Sequence, residues 1–497
     1  MQWDGMAMTS NDLTRLDLVD VSALLRARAV TARDVAEACL ARLRGVGRDL
    51  GAVVAVDEGI VLAAAEQADS LARDGRPLGP LHGVPLAHKD MFYRQGRISG
   101  CGSRIRADFV PTYTATVLER LDCAGALDIA RLNMSEFALG ATGHNDITGT
   151  PRNPWNQNHV PGGSSSGPAV AVAAGLVYAS LGSDTGGSIR QPSAFCGVVG
   201  LKPTYGRVSR HGVMPLSFTL DHVGPIARSA RDCAVILQAI AGHDAADLTS
   251  STEPVPAYSD GLDGDIRGVR IAVPETYFYD SIDPQIRTCV EESLAVYRSL
   301  GARIVNIFVP SLDVANRMAS LIAAVEGAAL HHRWLETQAD DYGPQTRARL
   351  LRGLDERATD YVEALRLRGQ ILAEFGKTVF AQADVLHTPT MPMEAPAITA
   401  SDVGDNSDFM NYVQRFGHCT RPINYLGLPA ISVPAGLTED GLPSAFQLVA
   451  RPFDEARLLT LAHAYETAVD RTWRDTPMKA WTTTGETNRQ DGTRSAA

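Results

Sequence analysis

The sequence predicts an α/β chain, one large layered domain carrying a helical insertion. Three observations lead there. Short apolar runs of strand length alternate with helix-patterned segments along most of the 497 residues. Residues 268–310 read strand, helix, strand, which favours parallel pairing. Residues 313–383 are almost wholly amphipathic helix, a block inserted into that alternation.

The first 80 residues read as helices. In 30–47, Thr31 with Asp34 three positions on forms a capping-box start, Val35, Cys39, Leu40 and Leu43 share one face, and Gly45 and Gly47 mark the end. A second helix is expected over 58–75, and the apolar stretch around Lys89 (82–92) has strand length. Residues 124–131 look like a buried strand, and 138–167, rich in Gly, Asn, Thr and Pro, like a long ordered loop. Residues 168–180 read as a buried helix of small residues, 197–204 as a strand, and 229–242 as a capped helix closed by Gly242. The polar stretch 250–268 is the best internal linker candidate. Beyond the insertion, 384–392 and 428–436 are strand-like, 453–469 is a last helix, and 481–497 is a polar tail expected to be disordered. The domain itself is expected to span 1–480.

A net charge of −11 argues against nucleic acid and against an anionic membrane surface, because both need a basic face. Seven scattered cysteines without a CxxC pair suit reduced, buried thiols and a cytoplasmic protein. No apolar run reaches the roughly 18–20 residues of a membrane span, and the N-terminus lacks a signal-peptide pattern. Only four of 46 basic residues are lysines: Lys89, Lys202, Lys377 and Lys479. Of these, Lys89 is flanked by apolar residues and is the lysine most expected to be buried.

Glycine–serine clusters raise three kinds of chemistry. A phosphate loop needs GxxxxGK[ST] after a strand, and neither 182–188 nor 161–167 has the lysine. Residues 163–167 match GxSxG, but the nucleophile elbow requires a buried strand running into the serine, and the preceding stretch is polar and twice interrupted by proline. The third possibility is an amide hydrolase. It needs a nucleophile, a base and an oxyanion hole. The small side chains of Thr185, Gly186, Gly187 and Ser188 leave their main-chain N–H groups accessible for the hole. A lysine desolvated by apolar surroundings can serve as the base.

The segments 79–92, 149–176, 180–210 and 219–234, with 420–436 and 441–459, together resemble the amidase signature family, serine hydrolases with a Ser–cis-Ser–Lys triad. The resemblance runs from about 13 to 475. It implies the amidase-signature fold, a large mixed twisted central β-sheet covered by helices on both faces. It also implies Ser188 as nucleophile, Ser164 after a cis Gly163–Ser164 bond as the bridging serine, and Lys89 as the base. The oxyanion hole would come from Thr185 to Ser188, with Asp184 and Arg190 bracing the loop. Ser165 is expected to hydrogen-bond within the loop, near enough to help orient Lys89 or substrate. Ser166 and Pro168 depart from the family pattern; Ser166 is expected to cap the following helix and Pro168 to sit in its first turn. His88 should point away from the site, and His331 and His332 should lie on the surface.

The resemblance implies no cofactor, and no metal motif such as HExxH is present. A free-standing amidase acting on a small-molecule amide, with no nucleic-acid or membrane partner, is the expected reading. Homodimers are common in the family. The alternative is the glutaminase subunit of the tRNA-dependent amidotransferase, which releases ammonia from glutamine inside a complex. A pseudo-amidase binding module is disfavoured because all three triad positions are intact. Substrate choice is expected to lie in 134–147, 210–220 and the helices after 320.

Overall fold

The computed structural model describes residues 9–402 and 409–481. Eleven strands form one mixed sheet: β1 (Val53–Ala55), β2 (Pro85–Lys89), β3 (Leu127–Leu132), β4 (Ala179–Asp184), β5 (Val199–Lys202), β6 (His222–Ala227), β7 (Arg270–Pro274), β8 (Arg303–Ile307), β9 (Val385–Pro389), β10 (Ala430–Leu437) and β11 (Pro443–Val449). Their order is β1-β3-β2-β4-β6-β5-β10-β11-β9-β7-β8. β2 runs parallel to both β3 and β4. β7 is parallel to β8 and β9, as the strand–helix–strand pattern predicts, with helix Pro284–Ser299 as the crossover. The central strands β2, β4, β5, β6 and β11 are buried throughout, which requires cover on both faces.

Local signals hold where they have a physical mechanism. Thr31 and Asp34 form a reciprocal capping box, and Val35, Cys39, Leu40 and Leu43 are all buried. Ser229 accepts from the Asp232 N–H to start helix Ala230–Ile240. The expected helix over 168–180 is half wrong. The helix is Ser166–Ala173, the chain reverses through Gly175 at φ 65°, and residues from Ala179 onward are strand β4. A continuous run of small apolar residues suits either a buried helix or a buried strand, so periodicity could not find the boundary. β1, with three residues, β6, interrupted by Gly224 and Pro225, and β11, which carries Ser444 and Gln447, were also missed because their patterns are too short or too broken to read. Stretch 250–268 is a surface connection between helix Ala230–Ile240 and β7, and the single sheet continues on both sides of it.

The insertion comprises helices Asp313–Thr337, Pro344–Leu354 and Ala358–Phe375. Its first two helices touch closely at Gly353, where a Cβ would lie 2.0 Å from the Ala324 carbonyl oxygen. The polar tail expected over 481–497 lies outside the described residues except for Trp481. Among the described residues no helix is long and apolar enough to cross a membrane.

The Gly353 contact predicts that Gly353→Val separates the two helices and lowers stability by about 1–3 kcal/mol in urea titration. Unchanged stability would mean that this crossing is not close-packed.

Candidate active site

Parallel pairing of β2 with β4 brings the carboxyl ends of both strands to the same edge of the sheet. Lys89 is the last residue of β2, and β4 ends at Asp184, from which the chain turns through 185–188 into helix Arg190–Cys196. The loop 161–165 arrives from a distant part of the chain and enters the buried helix Ser166–Ala173 beside them. Three segments far apart in sequence thus meet at one point.

Lys89 is wholly buried. Its Nζ donates to Ser164 Oγ at 2.7 Å and to Ser183 Oγ at 2.8 Å. Burial pulls its pKa down to about 7, with the carboxylates of Asp221 and Asp184 opposing that fall. The Gly163–Ser164 peptide is cis, as the resemblance implies. Segment 135–141 holds it from both sides: Ser135 N–H donates to Ser164 O at 3.2 Å, and Gly163 N–H to Ala141 O at 2.7 Å. The Ser165 N–H donates to Ser188 O at 3.2 Å, seating this loop against the residue expected to be the nucleophile. Ser188 is half-buried and faces a cavity of about 1120 Å³.

The turn 185–188 is shaped by one carboxylate. Asp184 accepts from the main-chain N–H groups of Gly187 (2.8 Å), Ile189 (3.2 Å) and Arg190 (3.3 Å), and from the Arg190 guanidinium. Burial pushes the Asp184 carboxyl up, but Arg190, Lys202 and Asn424 outweigh it and hold it well below the usual carboxylate range. Arg190 in turn donates to Gln447 Oε1, Thr420 O and Asn424 Oδ1. Gly187 has φ 133°, and a Cβ there would lie 2.4 Å from both Gln191 Nε2 and Thr420 Oγ1. Because the Gly187 N–H is committed to Asp184, the amides left without an acceptor among the described residues are those of Thr185, Gly186 and Ser188.

The expected supporting residues fare unequally. Ser165 exchanges hydrogen bonds with the Ser183 main chain, so it reaches Lys89 only through Ser183. Ser183 itself, in direct contact with Lys89, was missed, although it lies within the strand leading to the turn. Ser166 does not cap the helix: it is the first helical residue, and its buried hydroxyl has no partner. Pro168 does sit in the first turn. His88 points away from Lys89 towards Asp128, with 3.4 Å between Nε2 and Oδ1. His332 is exposed, but His331 is buried, bonds Tyr342 and packs on Phe137. Helix periodicity alone could not show that the loop carrying Tyr342 folds back over it. Thr420, Asn424 and Gln447 also escaped notice, since their role depends on β11 and 420–425 reaching the turn. Among the described residues no group of three or more His, Cys, Asp or Glu side chains could hold a metal ion.

A family model described as Amidase matches residues 34–459. The chain belongs to the amidase family. It is similar to the A subunit of glutamyl-tRNA(Gln) amidotransferase from Chloroflexus aurantiacus, 40% identical over 92% of this chain and 97% of that protein. The same protein from Geobacter metallireducens is 39% identical over the same share of each. Among solved structures, a peptide amidase bound to chymostatin superposes with a TM-score of 0.80 at 30% identity, covering 91% of this chain and 97% of that one. A protein solved as part of a vestigial complex at the origin of an s-triazine catabolic enzyme superposes at 0.85 with 32% identity, covering 91% and 98%. This amidase-family member is therefore an amide C–N hydrolase on the amidase-signature fold.

The relatives correct one expectation. Their name places them in a multi-subunit enzyme that acts on a tRNA, which overturns the expectation of a small-molecule partner alone with no nucleic acid. The charge argument failed because net charge counts a single chain. In the relatives' multi-subunit enzyme, one chain contributes only part of the surface.

The buried Asp184–Arg190 pair predicts that Asp184→Asn, which leaves a guanidinium without its counter-charge, costs about 3–5 kcal/mol in denaturant unfolding. A loss below about 1 kcal/mol would show that the pair does not anchor the turn.

Proposed function

We propose that this enzyme hydrolyses its amide through an acyl-enzyme on Ser188, with Ser164 and Lys89 as a proton relay. The observation that supports this best is a fully buried lysine, near neutrality in pKa, in 2.7 Å contact with Ser164 Oγ beside the Ser188 turn. In the forward step Ser188 Oγ attacks the carbonyl carbon. Its proton passes to Ser164 Oγ as the Ser164 proton passes to neutral Lys89. The free amides at Thr185, Gly186 and Ser188 hold the oxyanion, and Gly187 shapes the turn through Asp184. The C–N bond then breaks, the relay returns the proton to the departing nitrogen, and water repeats the cycle on the ester.

The setting with the strongest support is that of the glutaminase subunit of a tRNA-dependent amidotransferase, in which the amide is glutamine and the released product is ammonia. The relatives at about 40% identity over nearly their whole length favour it. A free-standing amidase is the second reading, favoured by the solved amidases and by a cavity much larger than one amino acid needs. In both settings the chain acts as one domain in the cytoplasm, with 313–383 inserted over the cavity. Glutamine hydrolysis by the purified chain, alone and with partner subunits, separates the two. Turnover that appears only with partners supports the amidotransferase setting, whereas hydrolysis of simple amides by the chain alone supports the amidase.

The relay predicts a pH dependence with a definite sign. Lys89 must be neutral to accept a proton, so kcat/KM rises with pH through about 7 and levels off above it, and is lost as pH falls below. A profile flat from about pH 5 to about pH 9 would rule out Lys89 as the base.

A further inference from the structure

We propose that Glu326, on the insertion helix Asp313–Thr337, is a positioning residue for the hydrolysis: through Ser217 and Asp221 it fixes Thr185, the first residue of the nucleophile's turn. This rests on the reading of residues 185–188 as the oxyanion turn.

Glu326 is buried and does not line the cavity faced by Ser188, so it acts without touching an amide held there. Donors from outside its helix fill both carboxylate oxygens. Oε2 accepts from the Ser217 hydroxyl and from the Thr219 N–H at 3.1 Å. Oε1 accepts from the Thr219 hydroxyl at 2.8 Å and from the Tyr361 hydroxyl at 2.9 Å. Among the described residues no cation pairs with it; Arg368, on the same helix as Tyr361, donates to the Thr219 carbonyl oxygen instead. A buried carboxylate without a counter-ion adds little stability that a well-packed apolar side chain would not. What it adds here is direction, because most of its donors come from the single loop 217–219. The helix also lies against that loop at Gly327, where a Cβ would be 3.4 Å from Leu216 Cδ1.

The loop passes the constraint to the turn. The Leu216 and Ser217 N–H groups donate to Asp221 Oδ2, each at 2.9 Å, and the Asp221 N–H donates back to Ser217 O at 2.9 Å. The other oxygen, Asp221 Oδ1, accepts from Thr185 Oγ1 at 2.6 Å. Glu326, Ser217, Asp221 and Thr185 are all buried, so water does not compete for these bonds. Asp184 holds the turn from Gly187 onward, whereas Asp221 holds its start. Donors to a developing oxyanion work only when aimed at it, so a turn that drifts loses rate rather than affinity.

The test compares the unsubstituted protein with Glu326→Gln, which sets an amide NH2 against donors, and with Ser217→Ala, which cuts only the link between loop and helix. Saturation kinetics of a fluorophosphonate on Ser188 separate its affinity from the rate of the covalent step. Each substitution should slow the covalent step at least about tenfold, change the affinity by less than about threefold, and leave the pH midpoint near 7 set by Lys89. The double variant should lose no more than about twofold beyond the more impaired single one, because both cut the same path. A loss below about threefold in the folded variants, a loss confined to affinity, or losses that multiply would overturn the proposal. Ser217→Ala decides alone if Glu326→Gln does not fold. Hydrogen–deuterium exchange is independent of labelling. It should quicken in both variants over 182–190 and 216–221 and stay unchanged over helix Pro284–Ser299, beyond β9 in the sheet. No label on Ser188 in the unsubstituted protein, with this local change in exchange intact, removes the nucleophile and leaves the positioning role. Normal labelling with unchanged exchange over the turn does the reverse.

Discussion

Desolvation of one lysine is the constraint on which the site depends. An ammonium group moved from water into a protein interior without a counter-ion is strongly disfavoured, so the group sheds its proton instead. Lys89 sits at the end of a fully buried strand, where the nearest polar atoms are the neutral hydroxyls of Ser164 and Ser183. Had either been a carboxylate in contact, the lysine would have stayed charged and could not accept a proton. Asp184 and Asp221 act on it only through space, and they moderate the fall in pKa without reversing it. The sheet supports this by burying β2 between β3 and β4, so that no water restores the charge.

The second requirement is a rigid turn, supplied by the opposite device: a buried charge that is fully paired. Asp184 stays ionised because Arg190 and three main-chain N–H groups surround it. Arg190 reaches on to Thr420, Asn424 and Gln447, which belong to the last third of the chain. The same network that fixes the turn therefore also closes the fold. A lysine near neutrality and an ionised carboxylate lie near one another because each has a different set of partners.

Much of this was legible in the sequence, for reasons that differ by element. Capping boxes and glycine turns are local chemistry, and Thr31, Asp34 and Ser229 behave as their spacing implies. The family resemblance located Lys89, Ser164 and Ser188, which no spacing rule could have linked across 99 residues. What stayed hidden depends on tertiary contact. Ser183 meets Lys89 only when β4 lies beside β2, and Gln447 reaches Arg190 only when β11 crosses the sheet. The commitment of the Gly187 amide to Asp184 also removes one main-chain N–H of the turn from any other acceptor, which the residue types alone do not show. Net charge is a poor guide to the partners of the relatives because it describes one chain and not their multi-subunit enzyme.

The most direct test of the relay is covalent. After treatment with a fluorophosphonate, which labels activated serines, peptide mapping by mass spectrometry should find the adduct on Ser188. The adduct should be absent from the Lys89→Ala protein. Label on Ser165 instead, or label on Ser188 that persists without Lys89, would contradict the account.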